Sequence, residues 1–141
     1  MKKGYIYLTL FLLLGCAASM SVKLPQDLRI VPPAATVPRQ VAEFSGKWYG
    51  VWDNILDHIL VVEEINPPNV IAIYAFGVAS QWGIERAGWV RVRGELTDGG
   101  LKLSLARPAT VIYRMLPDGS LDATYEWRGG ISRAKMKRMG E

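Results

Sequence analysis

The sequence predicts an all-β protein: an eight-stranded antiparallel up-and-down (meander) barrel over residues 43–141. Three observations carry this. From Gly46 onward apolar and polar residues tend to alternate, the period of a strand with one buried face. Links rich in Pro, Gly, Asn and Asp interrupt the alternation at short intervals. No stretch shows a helical apolar stripe between caps. Such short links force neighbouring strands antiparallel, because a parallel crossover needs about a dozen residues. Closing the resulting meander removes both bare edges. A barrel of this size is filled by its own side chains or holds one small ligand.

Composition narrows the function. A chain of 141 residues, half apolar and 21% charged, is one compact domain plus extras. The single Cys excludes an internal disulfide and a Cys-based zinc site. The single His excludes metal sites built on two or three histidines. No metal and no cofactor are expected. The formal charge of +4 belongs to the N-terminal part, since residues 43–141 carry twelve Lys/Arg against twelve Asp/Glu. A neutral domain argues against a nucleic-acid partner, which needs a clustered basic face. Arg133, Lys135, Lys137 and Arg138 form the one basic cluster, read as a solvated strand face.

Residues 1–15 read as an address. Lys2-Lys3 precedes an apolar run of nine residues, Ile6 to Leu14, broken only by Thr9. Spanning a bilayer as a helix takes about 20 residues, so the run fits a secretory signal instead. It ends in Leu13-Leu14-Gly15-Cys16. This resembles the bacterial lipoprotein signal, in which a small residue precedes a Cys that is lipidated and becomes the mature N-terminus. The resemblance implies lipidation at Cys16 with acyl chains such as palmitate. With Ala17 rather than Asp next, it also implies an outer-membrane anchor facing the periplasm. An ordinary signal with an incidental Cys is the other reading.

Residues 16–42 follow as a lipidated Cys and Pro-rich tether. Pro25, Pro32, Pro33 and Pro38 favour extended, polyproline-like backbone. At ~3.1 Å per residue, the 26 residues from 17 to 42 reach roughly 80 Å. The segment is then a spacer lifting the domain off the membrane. Leu28, Ile30 and Val31 support the other reading, that part of it packs on the domain.

The expected strands are Gly46–Trp52, His58–Ile65, Val70–Gly77, Trp89–Leu96, Leu101–Ala106, Thr110–Leu116, Leu121–Arg128 and Ile131–Met139. Gly46-Lys47-Trp48, after Phe44, resembles the Gly-x-Trp motif on the first strand of lipocalins and other calycins. These are up-and-down barrels that bind small, mostly apolar molecules, and the resemblance covers roughly residues 43–141. It implies structural roles for Trp48 and for Arg138, the counterpart of a basic residue that packs over that Trp from the last strand. Parity on the last strand places Arg138 with Ala134 and Met136, the more apolar face.

Up-and-down order sorts the links between two ends. The turns at 66–69, 97–100 and 117–120 fall at the end where the first strand starts. The links at 53–57, 78–88, 107–109 and 129–130 fall at the other. Trp48 lies at the first end; Trp52, Phe76, Trp82, Trp89 and Trp127 gather at the second. Such a cluster suits stacking on a ring, with His58 or Arg128 fixing the polar end of the ligand. The candidate ligand-binding residues are thus Trp52, His58, Phe76, Trp82, Trp89, Trp127 and Arg128. Parity gives Trp48, Trp52, Tyr113, Tyr125 and Trp127 to the interior, so aromatic filling could plug the barrel instead. Trp89 shares parity with Arg91 and Arg93 and reads as outward.

Catalysis has little to work with. There is no nucleophile elbow, phosphate-cradling glycine loop or His-Glu-x-x-His. Nucleophile chemistry would need His58 oriented by Asp53 or Asp57. Glu63 and Glu64 are adjacent in a strand and point to opposite faces. The expectation is no enzyme, and no catalytic or metal-binding residue. The leading reading is a membrane-anchored envelope lipoprotein with a calycin-like barrel binding a small apolar or ring-containing molecule. The alternative is a packed barrel acting as a non-enzymatic envelope interaction or assembly protein.

Overall fold

A computed structural model describes residues 21–140. The expected signal segment and Cys16 lie outside the described residues. The chain forms a closed barrel in sequence order, every neighbouring pair antiparallel. Its strands are β1 (Gly46–Trp52), β2 (Leu56–Asn66), β3 (Asn69–Phe76), β4 (Gly88–Thr97), β5 (Gly100–Leu105), β6 (Ala109–Met115), β7 (Leu121–Trp127) and β8 (Gly130–Arg138). This is the all-β up-and-down architecture that the alternation predicts, and it is consistent with a lipocalin-like fold. The described helical structure is one turn, α1 (Arg39–Ala42), and a 3-10 turn at Ser80–Trp82. Every strand ends within two residues of its expected limits, and the largest shift is at β2, which starts at Leu56 rather than His58.

Alternation decides which side chains enter the barrel. Trp48, Leu60, Leu101, Leu103, Tyr113, Leu121 and Met136 are wholly buried inside it. The base, where β1 starts, is closed by Phe44 and Trp48, whose indole Nε1 donates to the Phe44 carbonyl at 2.9 Å. The other end is the mouth. Closure runs through the β1–β8 seam, with Trp48 opposite Arg138 and Tyr49 opposite Lys137. Met139 N donates to Lys47 O at 2.9 Å, and Asp53 N to Arg133 O at 2.9 Å, so the seam is tied at both ends. Gly50 is required there: a Cβ at this position would lie 2.8 Å from the Lys135 carbonyl.

Residues 21–42 do not stand clear as a spacer. Val22, Leu24, Leu28 and Ile30 pack on Ile59, Val61, Ile73 and Ala75, an apolar patch on the outer face of β2 and β3. Burial of that patch outweighs the preference of a Pro-rich chain for open, extended backbone. Glu63, next in alternation after Ile59 and Val61 and at a bulge in β2 between Val62 and Glu64, lies on the same face. There Glu63 accepts Arg29 N at 3.1 Å and Arg91 Nε at 2.8 Å, and its carbonyl accepts Val31 N at 2.7 Å. Arg91 also reaches Asp27 at 3.1 Å. The segment thus runs down the barrel wall, from Ser21 at the mouth toward α1 and Phe44 at the base.

Candidate functional site

The mouth is built from the links 53–55, 77–87, 106–108 and 128–129 with the strand ends beside them. Its wall is incomplete. β4 runs ten residues and β5 only six. Their register extends from Gly94 opposite Leu103 to Thr97 opposite Gly100, so Gly88–Arg93 has β3 on one side and no strand partner from β5 on the other. Pro108 in the β5–β6 link has no N–H to continue a ladder. The result is a split in the wall, open toward the mouth. Val90 pairs with the inward-facing Tyr74 and shares its face, yet is 44% exposed. Phe76, Ile84, Val92, Leu105 and Tyr125 surround the gap, half-buried against the core.

A stack of aromatic rings leads inward from this gap. Trp127 and Tyr125 lie 5.8 Å apart, Tyr125 and Trp52 5.8 Å, Tyr125 and Tyr74 6.1 Å, and Tyr74 and Phe76 6.3 Å. His58 forms the floor, 4.4 Å from Tyr74 and 5.2 Å from Trp52. Offset and tilted contacts of this kind stabilise aromatic clusters beyond their area burial.

Placement sorts the expected ligand residues into three groups. Trp52 and His58 are buried in the core below the mouth rather than standing at the rim. Phe76 is half-buried at the gap, its ring against Gly88. Trp82, Trp89 and Trp127 are 38%, 41% and 44% exposed, and Arg128 is exposed beside them. Trp127 lies over the Gly129-Gly130 turn, where a Cβ would meet its ring at 2.7 to 3.2 Å. Trp89 lies on the outer face, with the Arg91 guanidinium 5.8 Å from its ring centre. Val90, Tyr74 and Tyr125 belong to the gap although sequence reasoning did not place them in the site. The unequal lengths of β4 and β5 are the signal for them.

Hydrogen bonding settles the state of His58. Its Nδ1 lies 2.7 Å from the Ala75 carbonyl, which only accepts, so Nδ1 carries the proton. Nε2 therefore accepts from the Tyr113 hydroxyl at 2.8 Å. Burial holds its pKa down to about 4, so the ring is neutral near pH 7. Burial raises the Tyr74 and Tyr113 hydroxyls well above the usual range. Neither carboxylate orients His58: Asp53 accepts Arg133 N at 3.0 Å, and Asp57 accepts Tyr49 Oη at 2.6 Å on the outer face. Trp52 Nε1 is buried with no hydrogen-bond partner. The indole lies near enough to Tyr74 to offset part of that hydroxyl's rise, but short of hydrogen-bond geometry.

Two hollows of about 220 and 300 Å³ lie elsewhere, on the outer wall. One is beside Asn66, Asn69 and Arg93 near the base; the other is over Gly50 and Lys135 on the β1–β8 seam. Both are open depressions, and neither touches the aromatic stack. Among the described residues no group of three His, Cys, Asp or Glu side chains is placed to hold a metal ion. At the mouth, Val90 and Trp127 are exposed, and Phe76 and Tyr125 are half-buried. The chain matches no family model, no curated protein and no solved structure.

Proposed function

We propose that this protein is a lipid-anchored envelope lipoprotein whose barrel binds a small apolar or ring-containing molecule at its aromatic mouth, without catalysing a reaction. The observation that supports this best is the exposure of Val90, an inward-facing apolar side chain with no wall in front of it. An apolar group covering it removes hydrocarbon from water at about 25 cal/mol per Å². A ring stacked on Tyr125 or Trp127 adds ~0.5–1.5 kcal/mol. Because the core beneath is filled, the ligand enters by one ring or one chain end rather than being swallowed whole. Anchoring through Cys16 at the periplasmic side of the outer membrane is part of this reading and is supported by the Leu13–Cys16 motif.

The test is a titration of intrinsic Trp fluorescence with fatty acids, aromatic compounds and cell-wall sugars. A saturable change with one class, abolished by Val90→Arg in a protein of unchanged circular dichroism, is the expected result. No saturable change with any class overturns the proposal. A second reading, a packed barrel that docks another envelope protein, draws on the filled interior and on outward-facing Trp89. Pull-downs that lose a partner with Trp89→Ala, alongside silent titrations, would favour it.

A further inference from the structure

Exposed apolar side chains are distributed unevenly on this barrel. The large ones that stand exposed among the described residues are Val31, Val78, Trp82, Trp89, Val90, Trp127 and Ile131. All but Val31 are at the mouth. The base links, 67–68, 98–99 and 116–120, consist of Pro, Gly, Asp and Ser with one large apolar side chain, Leu116, which is half-buried. One end of the molecule is thus an apolar, indole-rich rim, and the other is polar.

The start of the described chain lies at the same end. Ser21 Oγ accepts Val78 N at 3.2 Å and lies 3.5 Å from Asp57 Oδ2. Cys16 precedes Ser21 by five residues. Five residues span at most about 18 Å. The eleven residues of β2 extend roughly 35 Å along the wall. Five residues from Ser21 therefore reach the mouth and cover only about half the wall toward the base. We infer that the rim of Val78, Trp82, Trp89, Val90, Trp127 and Ile131 docks on the surface of the bilayer that holds the protein's own anchor, so that the barrel stands mouth-down on the membrane. This rests on the lipoprotein reading for the anchor, and on the rim alone for the docking face.

Physical chemistry favours lipid as the occupant. Indole combines an apolar body with a polar N–H and concentrates at the depth of lipid headgroups. A lipid anchor and an apolar rim act together, as stable peripheral attachment requires. Charge contributes little here. Arg86, Arg107 and Arg128 in the links are matched at the same end by Asp53, Glu85 and Glu126. Docking is accordingly carried by the apolar rim and is weakly sensitive to salt.

The experiment uses the full chain purified from membranes, with acylation of Cys16 read by intact mass. It is reconstituted in phosphatidylcholine vesicles with and without a doxyl-labelled phosphatidylcholine, and Trp fluorescence is recorded. Trp48, buried at the base of the barrel, serves as the internal emitter remote from the label. Quenching in the wild type, lost when Trp82, Trp89 and Trp127 are all replaced by Phe, is the expected result. Single Trp→Phe variants, each losing a share, carry the test if the triple variant fails to fold. Acylated protein whose fluorescence the labelled lipid leaves unchanged overturns the docking and leaves the lipoprotein reading standing. Quenching in protein with no acyl group at Cys16 supports the docking and removes the lipoprotein reading.

Discussion

The guanidinium of Arg138 lies 4.2 Å from the centre of the Trp48 ring. It also donates to the Ser45 carbonyl at 2.7 Å and to the Glu43 carbonyl. One side chain therefore joins the last strand, the first strand and the segment that closes the base. Lysine keeps the charge but not the planar fork. Arg138→Lys is expected to lower stability by about 1–2 kcal/mol, from two weakened hydrogen bonds and a poorer ring contact. A lower urea midpoint with unchanged slope is the check; an unchanged midpoint would mean the fork contributes nothing.

Gly50 governs the other half of the seam. A methyl group there meets the Lys135 carbonyl at 2.8 Å and Met136 Cγ at 2.9 Å. Backbone must move, because the seam is tied above and below that point. Gly50→Ala is expected to cost about 1–3 kcal/mol, the usual range for forcing a group into a filled site. Gly140→Ala, with nothing within 4 Å, is the matched control and should leave the melting temperature unchanged.

His58 makes stability depend on pH in a defined window. Its folded pKa of about 4 lies below the ordinary 6.5. Between these values the unfolded chain holds the proton and the folded chain does not, so acidification favours unfolding. The stabilisation is complete above about pH 6.5, falls as pH drops toward 4, and amounts to roughly 3 kcal/mol at most. Asp27 is held low by Arg91, and Asp118 by Ser120 and Lys135. Their contributions are lost only as pH falls below the ordinary carboxylate value of 3.8 and so do not mask this window. Urea midpoints at about pH 7 and about pH 4.5 should differ in the wild type and converge in His58→Gln. Equal differences in both proteins would place the effect elsewhere.

Trp48 and Trp52 are both buried, but only Trp48 uses its N–H. Trp48→Phe leaves the Phe44 carbonyl unpaired and opens space, at about 2–3 kcal/mol. Trp52→Phe opens similar space while removing an unsatisfied donor, so it should cost roughly 1 kcal/mol less. Paired chemical denaturation of the two variants decides this. Equal losses would show that the Trp52 N–H is satisfied in solution.

Legibility varied with how local the cause was. The period of two at Gly46–Trp52 and the turn residues at 66–69 and 97–100 are properties of neighbours in the chain, so strands and hairpins could be read directly. His58 could be placed near the mouth from its position in β2. Its burial follows from sharing a face with Leu56 and Leu60, a comparison the alternation permits. The split wall at Val90 was harder. It depends on where β5 stops relative to β4, and its traces in the sequence are the unequal lengths of those two strands and Pro108.

What the amino-acid order determined alone was the strand period, the antiparallel succession and the gathering of Trp52, Trp82, Trp89 and Trp127 toward one end, because each depends on spacing along the chain. The tertiary structure decided that Trp52 lies under a filled core, that Val90 faces an open gap, and that residues 21–31 fold back along β2 and β3 to bring Ser21 to the mouth. Those outcomes depend on which surfaces meet and bury each other across long stretches of chain. Composition states only that such surfaces exist.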